Sequence, residues 1–281
     1  MTTTTTILTA SGPRVERRGL AAWLVGLSPR GKALVFAGEF VIFLLIWELV
    51  VGVLGWINPV FLPPPSAIAQ GFVEIVANGS LAVNAVYSLQ AWITGFTIAV
   101  VIGIPLGLLM GSSLPVDRVV GPIAWTIYAT PTIAYQPLSK AWFGFGMGPV
   151  IFLVAISAVF PILLNISAGM RTTSPSILRA GRVYGASRMD LYRKVFLPST
   201  VPFLFAGLRQ AVVLATIGMV VAELTGSPTG MGALIIRSTN TYQTDQAFAA
   251  IAVVVLWSVG MTQVVTLIER RLAPWTRKGR K

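Results

Sequence analysis

The chain has 281 residues, of which 55% are hydrophobic and 11% charged, with a formal net charge of +12. Long apolar runs recur along it, which excludes a soluble domain and reads as an all-α integral membrane protein, its positive charge being a cytoplasmic excess of Lys and Arg rather than a nucleic-acid surface. Cysteine and histidine are absent, which excludes disulfides, zinc sites of the usual ligand type and any Ser-His or Cys-His catalytic pair.

Residues 1–32 are Thr-rich and basic and are expected to form a cytoplasmic tail, with 19–27 lying at the interface. They lack the pattern of a cleavable signal peptide. About six spans follow, each long enough to cross roughly 30 Å of hydrocarbon at about 1.5 Å per residue. They are placed at 33–55, 84–110, 119–143, 149–170, 201–224 and 247–268, within a transmembrane domain over 33–270. A basic cytoplasmic tail, 271–281, closes the chain.

Between the first two spans, Pro63-Pro64-Pro65-Ser66 predicts an extended entry and a short outer helix over 67–77 with Ser66 as its N-cap. In the second span Ala91, Gly95, Ala99, Gly103, Gly107 and Gly111 fall every four residues. Small residues at that spacing let another helix approach closely in lipid, where packing drives association. The helix that approaches, in the same chain or in a second copy, is not readable from the pattern.

The third span carries Tyr128, Thr130, Pro131, Thr132, Tyr135, Gln136, Pro137 and Ser139. Prolines there break helix hydrogen bonds, which a membrane tolerates where protein or a wet cavity satisfies the backbone. Tyr128, Thr130, Pro131, Tyr135 and Gln136, with Met219 of the fifth span, are therefore the candidate translocation pathway. The competing reading is a kinked helix whose polar groups bond to neighbours. Gly144, Gly146 and Gly148 predict a tight outer turn.

Residues 171–199 form the longest polar interruption. Ser174-Pro175 reads as an N-cap and first helical position, and Gly185 as the end of that helix. Ser187-Arg188-Met189-Asp190 is a capping box that starts a second helix, which Pro198 is expected to stop or redirect. Two compact helices in a basic loop fit a docking surface; the rival is a hairpin on lipid headgroups. Residues 225–246 read as an outer loop with one amphipathic turn at 234–237.

With both termini and the long loop inside, eighteen of the 21 Lys and Arg face the cytoplasm. Ionisable residues within spans are functional candidates by default. Glu39 is expected to snorkel or pair with Lys32, Glu48 to be a structural partner, Arg209 to reach inward to water, and Glu223 to lie near the outer end of its span. Residues 26–32 match the front of a phosphate-binding loop, but Ala33 stands where a hydroxyl must hold magnesium and no strand precedes it.

The loop also carries a resemblance. Arg179-Ala180-Gly181, then Gly185 and Ala186, then Val195-Phe196-Leu197-Pro198 resemble, at its spacing, the E-A-A, G, I-x-L-P motif of permease subunits of ATP-binding-cassette importers. Together with FLPPPSA near 61, WFGFG at Trp142, FPILLN at Phe160 and ERRLAPW at the end, the chain resembles the branch that imports nitrate, sulfonates, taurine and related small solutes. Arg179 and Gly181 depart from the motif's glutamate and second alanine. The resemblance implies a type I importer permease fold whose coupling loop docks through Arg179, Ala180, Gly181, Gly185, Ala186, Leu197 and Pro198. It further implies a homodimer in the bilayer, two cytoplasmic ATP-binding subunits that use ATP and magnesium, and an extracytoplasmic binding protein, with no cofactor held by this chain and no nucleic acid. The alternative is a secondary transporter or channel, which would need carboxylates converging at mid-depth.

Overall fold

The computed structural model describes residues 28–173 and 175–277, and every regular element among them is helical. The tail reading for residues 1–27 and the Ser174 cap lie outside the described residues. Five helices are long and apolar enough to cross a membrane: Gly31–Val53, Ser80–Ser112, Met147–Arg171, Met189–Leu224 and Thr244–Leu272. The third predicted span is instead divided. Helix α4 (Leu114–Ala129) ends at Thr130, whose backbone is extended, a 3-10 turn covers Thr132–Tyr135, and α5 (Gln136–Phe143) follows. Pro131 pushes Thr130 out of the helical region and supplies no N–H, so the break falls there.

The first span stands apart. Helix α1 (Pro29–Trp47), capped by Ser28, continues into a π-helical stretch over Glu48–Val53. Only 6% of its apolar window is buried, against 56% in Met147–Arg171. Glu39 is exposed and makes no ion pair with Lys32 among the described residues. Helix α2 (Pro65–Ala77) begins at Pro65, so Ser66 lies in its first turn and is not the N-cap. The cap comes from another element. The Ser66 N–H and hydroxyl donate to the two Glu48 carboxylate oxygens at 2.9 and 2.7 Å. An anion is favourable at a helix N-terminus, and proline fits the first helical position.

Helices α3 (Ser80–Ser112), α6 (Met147–Arg171) and α9 (Leu197–Leu224) form the core. The small residues of α3 lie against α6 of the same chain. A Cβ on Gly95 would fall 2.7 Å from the Ile151 carbonyl, and one on Gly107 would fall 2.8 Å from that of Leu163. In hydrocarbon such backbone approach replaces the hydrophobic effect as the source of attraction. Across the core Trp92 stacks on Phe96 at 4.7 Å and donates its ring N–H to Thr216 Oγ1 at 3.2 Å.

The stretch predicted as a loop with one turn holds a ten-residue helix, α10 (Met231–Asn240). Its start is satisfied by distant side chains. Glu223 is fully buried and accepts from Ser88 Oγ at 2.7 Å and from the Gly232 N–H at 2.9 Å. Ser88 accepts from the Met231 N–H, and Asn84 from the Gly230 N–H. Gly230 has φ +127°, and any Cβ there would meet the Glu223 carboxylate. The final helix, α11 (Thr244–Leu272), is tied to α9 by an ion pair between Arg209 and Glu269, so Arg209 is partnered within the protein.

Candidate translocation pathway and docking loop

The loop between α6 and α9 is compact because its ends are joined: the Thr173 and Ser199 hydroxyls lie 2.9 Å apart in a hydrogen bond. Helix α7 (Pro175–Val183) ends where the glycine requires. Gly185 has φ +77°; its N–H donates to the Arg182 carbonyl at 3.0 Å and the Ala186 N–H to that of Gly181 at 2.9 Å. That pair of bonds is a Schellman closure, which a left-handed residue permits. The capping box is formed, with the Asp190 N–H donating to Ser187 Oγ at 3.1 Å and the Ser187 N–H to the Asp190 carboxylate at 3.3 Å. Lys194 pairs with Asp190 at 2.7 Å.

Pro198 neither stops nor turns the second helix. Helix α8 (Arg188–Leu191) passes through a π-helical stretch, Tyr192–Phe196, directly into α9. The Leu197 N–H reaches the Tyr192 carbonyl. A π-bulge adds a residue to the turn, and Pro198 then falls in the first turn of α9, where proline is tolerated.

Of the motif residues, Arg179, Ala180 and Gly185 are exposed, whereas Gly181, Ala186, Leu197 and Pro198 are half-buried. A Cβ on Gly181 would fall 2.6 Å from the tip of Leu191. The apolar tip of the loop is bare: Val183 is 83% and Tyr184 90% exposed. Arg182, next to it in sequence, and Arg193 of the following helical stretch are exposed.

The broken segment brings part of the predicted pathway together. Tyr128, Thr130, Thr132 and Tyr135 line a cavity of about 50 Å³, closed by Ile127, Ile156, Ser157, Phe160 and Leu214. Pro131 sets the break without lining the cavity. Gln136 turns to the far end of α9, where its amide donates to the Thr225 carbonyl at 3.2 Å alongside the Lys140 ammonium. Met219 belongs elsewhere: it is 1% exposed, packed in the core with α3 and α6. Its place on α9 had suggested the pathway, but that face of the helix turns inward.

Two polar residues at the cavity's edge were not singled out from sequence. Gln210, exposed at the middle of α9, donates to the Tyr128 hydroxyl at 2.8 Å. The Asn165 side-chain amide of α6 donates to Gln210 Oε1 at 3.1 Å. Neither residue is ionisable, so a search for charges within spans passes them by. The signal lay in FPILLN and LRQ, where an amide interrupts an apolar run.

Five continuous spans and one broken, polar segment, with a compact helical loop between two of the spans, make an all-helical, multi-pass membrane protein. The chain matches, over residues 103–278, the family of binding-protein-dependent transport system inner membrane components, and it belongs to that family. It is thus the membrane-spanning permease subunit of an ATP-binding-cassette importer. Among its relatives, the taurine transport system permease protein TauC of Escherichia coli (strain K12) is 30% identical over 243 residues, 85% of this chain and 88% of that protein. The formylaminopyrimidine transport permease protein ThiX of Halalkalibacterium halodurans is 30% identical over 240 residues, 85% of this chain and 94% of that one. The fold is also similar to a crystal structure of an amino acid ABC transporter with histidines. The TM-score is 0.59 with 20% sequence identity, over 72% of this chain and 98% of that one.

Proposed function

We propose that two copies of this chain form the pathway of an importer in the cytoplasmic membrane, with both termini and the loop 171–199 in the cytoplasm. Each loop docks on one of two ATP-binding subunits, which bind and hydrolyse ATP with magnesium. An extracytoplasmic binding protein delivers a small solute of the nitrate, sulfonate or taurine kind. The observation that carries this reading is the direct run of the loop's second helix into α9. Displacing the loop displaces a spanning helix whose midpoint bears Gln210 beside the polar cavity.

The chemistry of this chain is mechanical and electrostatic. Nucleotide binding favours the state in which the two docking loops are close, and a ligand shifts a two-state equilibrium only by its differential affinity for the two states. The bare Val183 and Tyr184 tip supplies apolar area for docking, with the exposed Arg182 beside it in sequence. The rotated pair of permeases then opens the broken segment to the binding protein. Copurification of the ATP-binding subunit with the tagged permease, and ATP-driven solute uptake into vesicles, test the reading. Uptake driven by an ion gradient with the permease alone would replace it with a secondary transporter.

A further inference from the structure

The polar groups at the broken segment have a direction. The Pro161 carbonyl accepts only, so it fixes the amide nitrogen of Asn165, which donates to it at 2.7 Å. The second hydrogen of that nitrogen goes to Gln210 Oε1 at 3.1 Å. Gln210 must then present Nε2 to the Tyr128 hydroxyl, 2.8 Å away. Tyr128 is an acceptor in that bond, and its own proton has no acceptor among the described residues. Because a backbone carbonyl anchors the ladder, it cannot run the other way.

The remaining hydroxyls of the cavity are accounted for in the same manner. Thr130 gives its proton to the Thr126 carbonyl at 2.9 Å, and Tyr135 gives its own to that of Ile127 at 3.2 Å. Thr132 and Ser157 face each other at 3.2 Å, so one of the pair donates and the other keeps a free proton. Among the described residues the cavity therefore offers two uncommitted O–H donors, and no carboxylate lines it. An incoming oxyanion group finds donors waiting, whereas an ammonium or amino group finds no ionised acceptor. The volume of about 50 Å³ admits a headgroup rather than a ring; it is on the order of one or two waters.

We propose that the ladder Asn165–Gln210–Tyr128 makes this cavity a hydrogen-bond-donor site that selects solutes carrying an oxyanion group. The proposal rests on reading the broken segment as the pathway. Tyr128 touches the solute; Asn165 and Gln210 are positioning residues that keep its proton free.

The test is a titration of the purified permease with sodium ethanesulfonate, followed by the fluorescence of Trp125, whose ring lies 5.9 Å from that of Tyr128. Trp125→Phe serves as the blank. A saturable change is expected in the unmodified protein, and none with ethylammonium chloride. Tyr128→Phe raises the half-saturating concentration about tenfold, the scale of one hydrogen bond to a charged acceptor. Gln210→Glu, equal in shape, has at least as large an effect, because its carboxylate consumes the Tyr128 proton. A group that only held the helices together would tolerate that isostere. No saturable response in the unmodified protein, an unchanged half-saturating concentration in either Tyr128→Phe or Gln210→Glu, or an equal response to ethylammonium overturns the proposal. Failure of ATP-driven import by the assembled complex, with ethanesulfonate binding intact, would instead fault the importer reading.

Discussion

Gly185 is the residue on which the docking loop turns. Its φ of +77° lies in the region that β-branched side chains avoid, but a Cβ there meets nothing within 4 Å. Strain alone therefore opposes substitution, about 1–2 kcal/mol for a side chain in the left-handed region. Gly185→Val is expected to insert and fold, and to lose copurification of the ATP-binding subunit or the coupling of hydrolysis to uptake. Gly181→Ala, which supplies the alanine of the motif, displaces only the tip of Leu191 and is expected to stay within a factor of about two in uptake, since a flexible side chain yields cheaply. Wild-type association and uptake in Gly185→Val would return the loop to the headgroup hairpin. Glu223 is the opposite sort of residue, since everything around it is committed. Glu223→Gln places an amide NH₂ where one of two donors, Ser88 Oγ or the Gly232 N–H, now finds an acceptor. A loss of about 1–3 kcal/mol of stability is expected, read as a lower melting temperature in detergent.

At the scale of elements, the α3–α6 contact is held by backbone approach. Gly107→Leu would drive a side chain into the Leu163 carbonyl and Ile166, and Gly103→Leu into Ile162 and the Val159 carbonyl. Each is expected to cost about 1–3 kcal/mol or more as overpacking and to appear as loss of monodisperse protein in size-exclusion chromatography. Normal elution of both variants would mean the helices part without penalty. The four-residue repeat made this face visible in the sequence, but its neighbour was not, because the ridges of α6 are ordinary Val, Ile and Leu. A weakness in the third span was legible through Pro131 and Pro137, since proline acts locally, but its division into two helices was not, and the break falls at Pro131 alone. Helix α10 was hidden for the converse reason: a start rich in Gly, Ser and Thr reads as loop, and the groups that satisfy it, Asn84 and Ser88, lie 146 and 143 residues away from the residues they bond. The fate of Pro198 was equally illegible, because a π-bulge has no composition of its own.

For the whole molecule, the asymmetry of Lys and Arg is the argument for orientation. A reporter active only outside the cytoplasm is expected to work when fused after Gly79 or Gly230 and to fail after Arg171 or Arg277. The reverse pattern would invert the assembly and place the docking loop where no ATP-binding subunit can reach it. The permease purified away from its partners is expected to hydrolyse no ATP in a phosphate-release assay, because Ala33 stands at the magnesium position of the only phosphate-loop-like stretch.

The cluster around Glu223 has a consequence in time as well as in space. Ser88 leaves the ribosome 135 residues before Glu223, and Asn84 precedes Gly230 by 146. At about 5–20 residues per second, the second span enters the bilayer on the order of ten seconds before its long-range partners exist. Through that interval its hydroxyl and amide have only their own helix to bond, as the Asn84 amide already does to the Ser80 carbonyl at 2.7 Å. The packing of the second span against the outer end of α9 and the start of α10 is therefore expected to be completed late, on arrival of residues 223–232. A chain stalled before them is a natural substrate for membrane quality control.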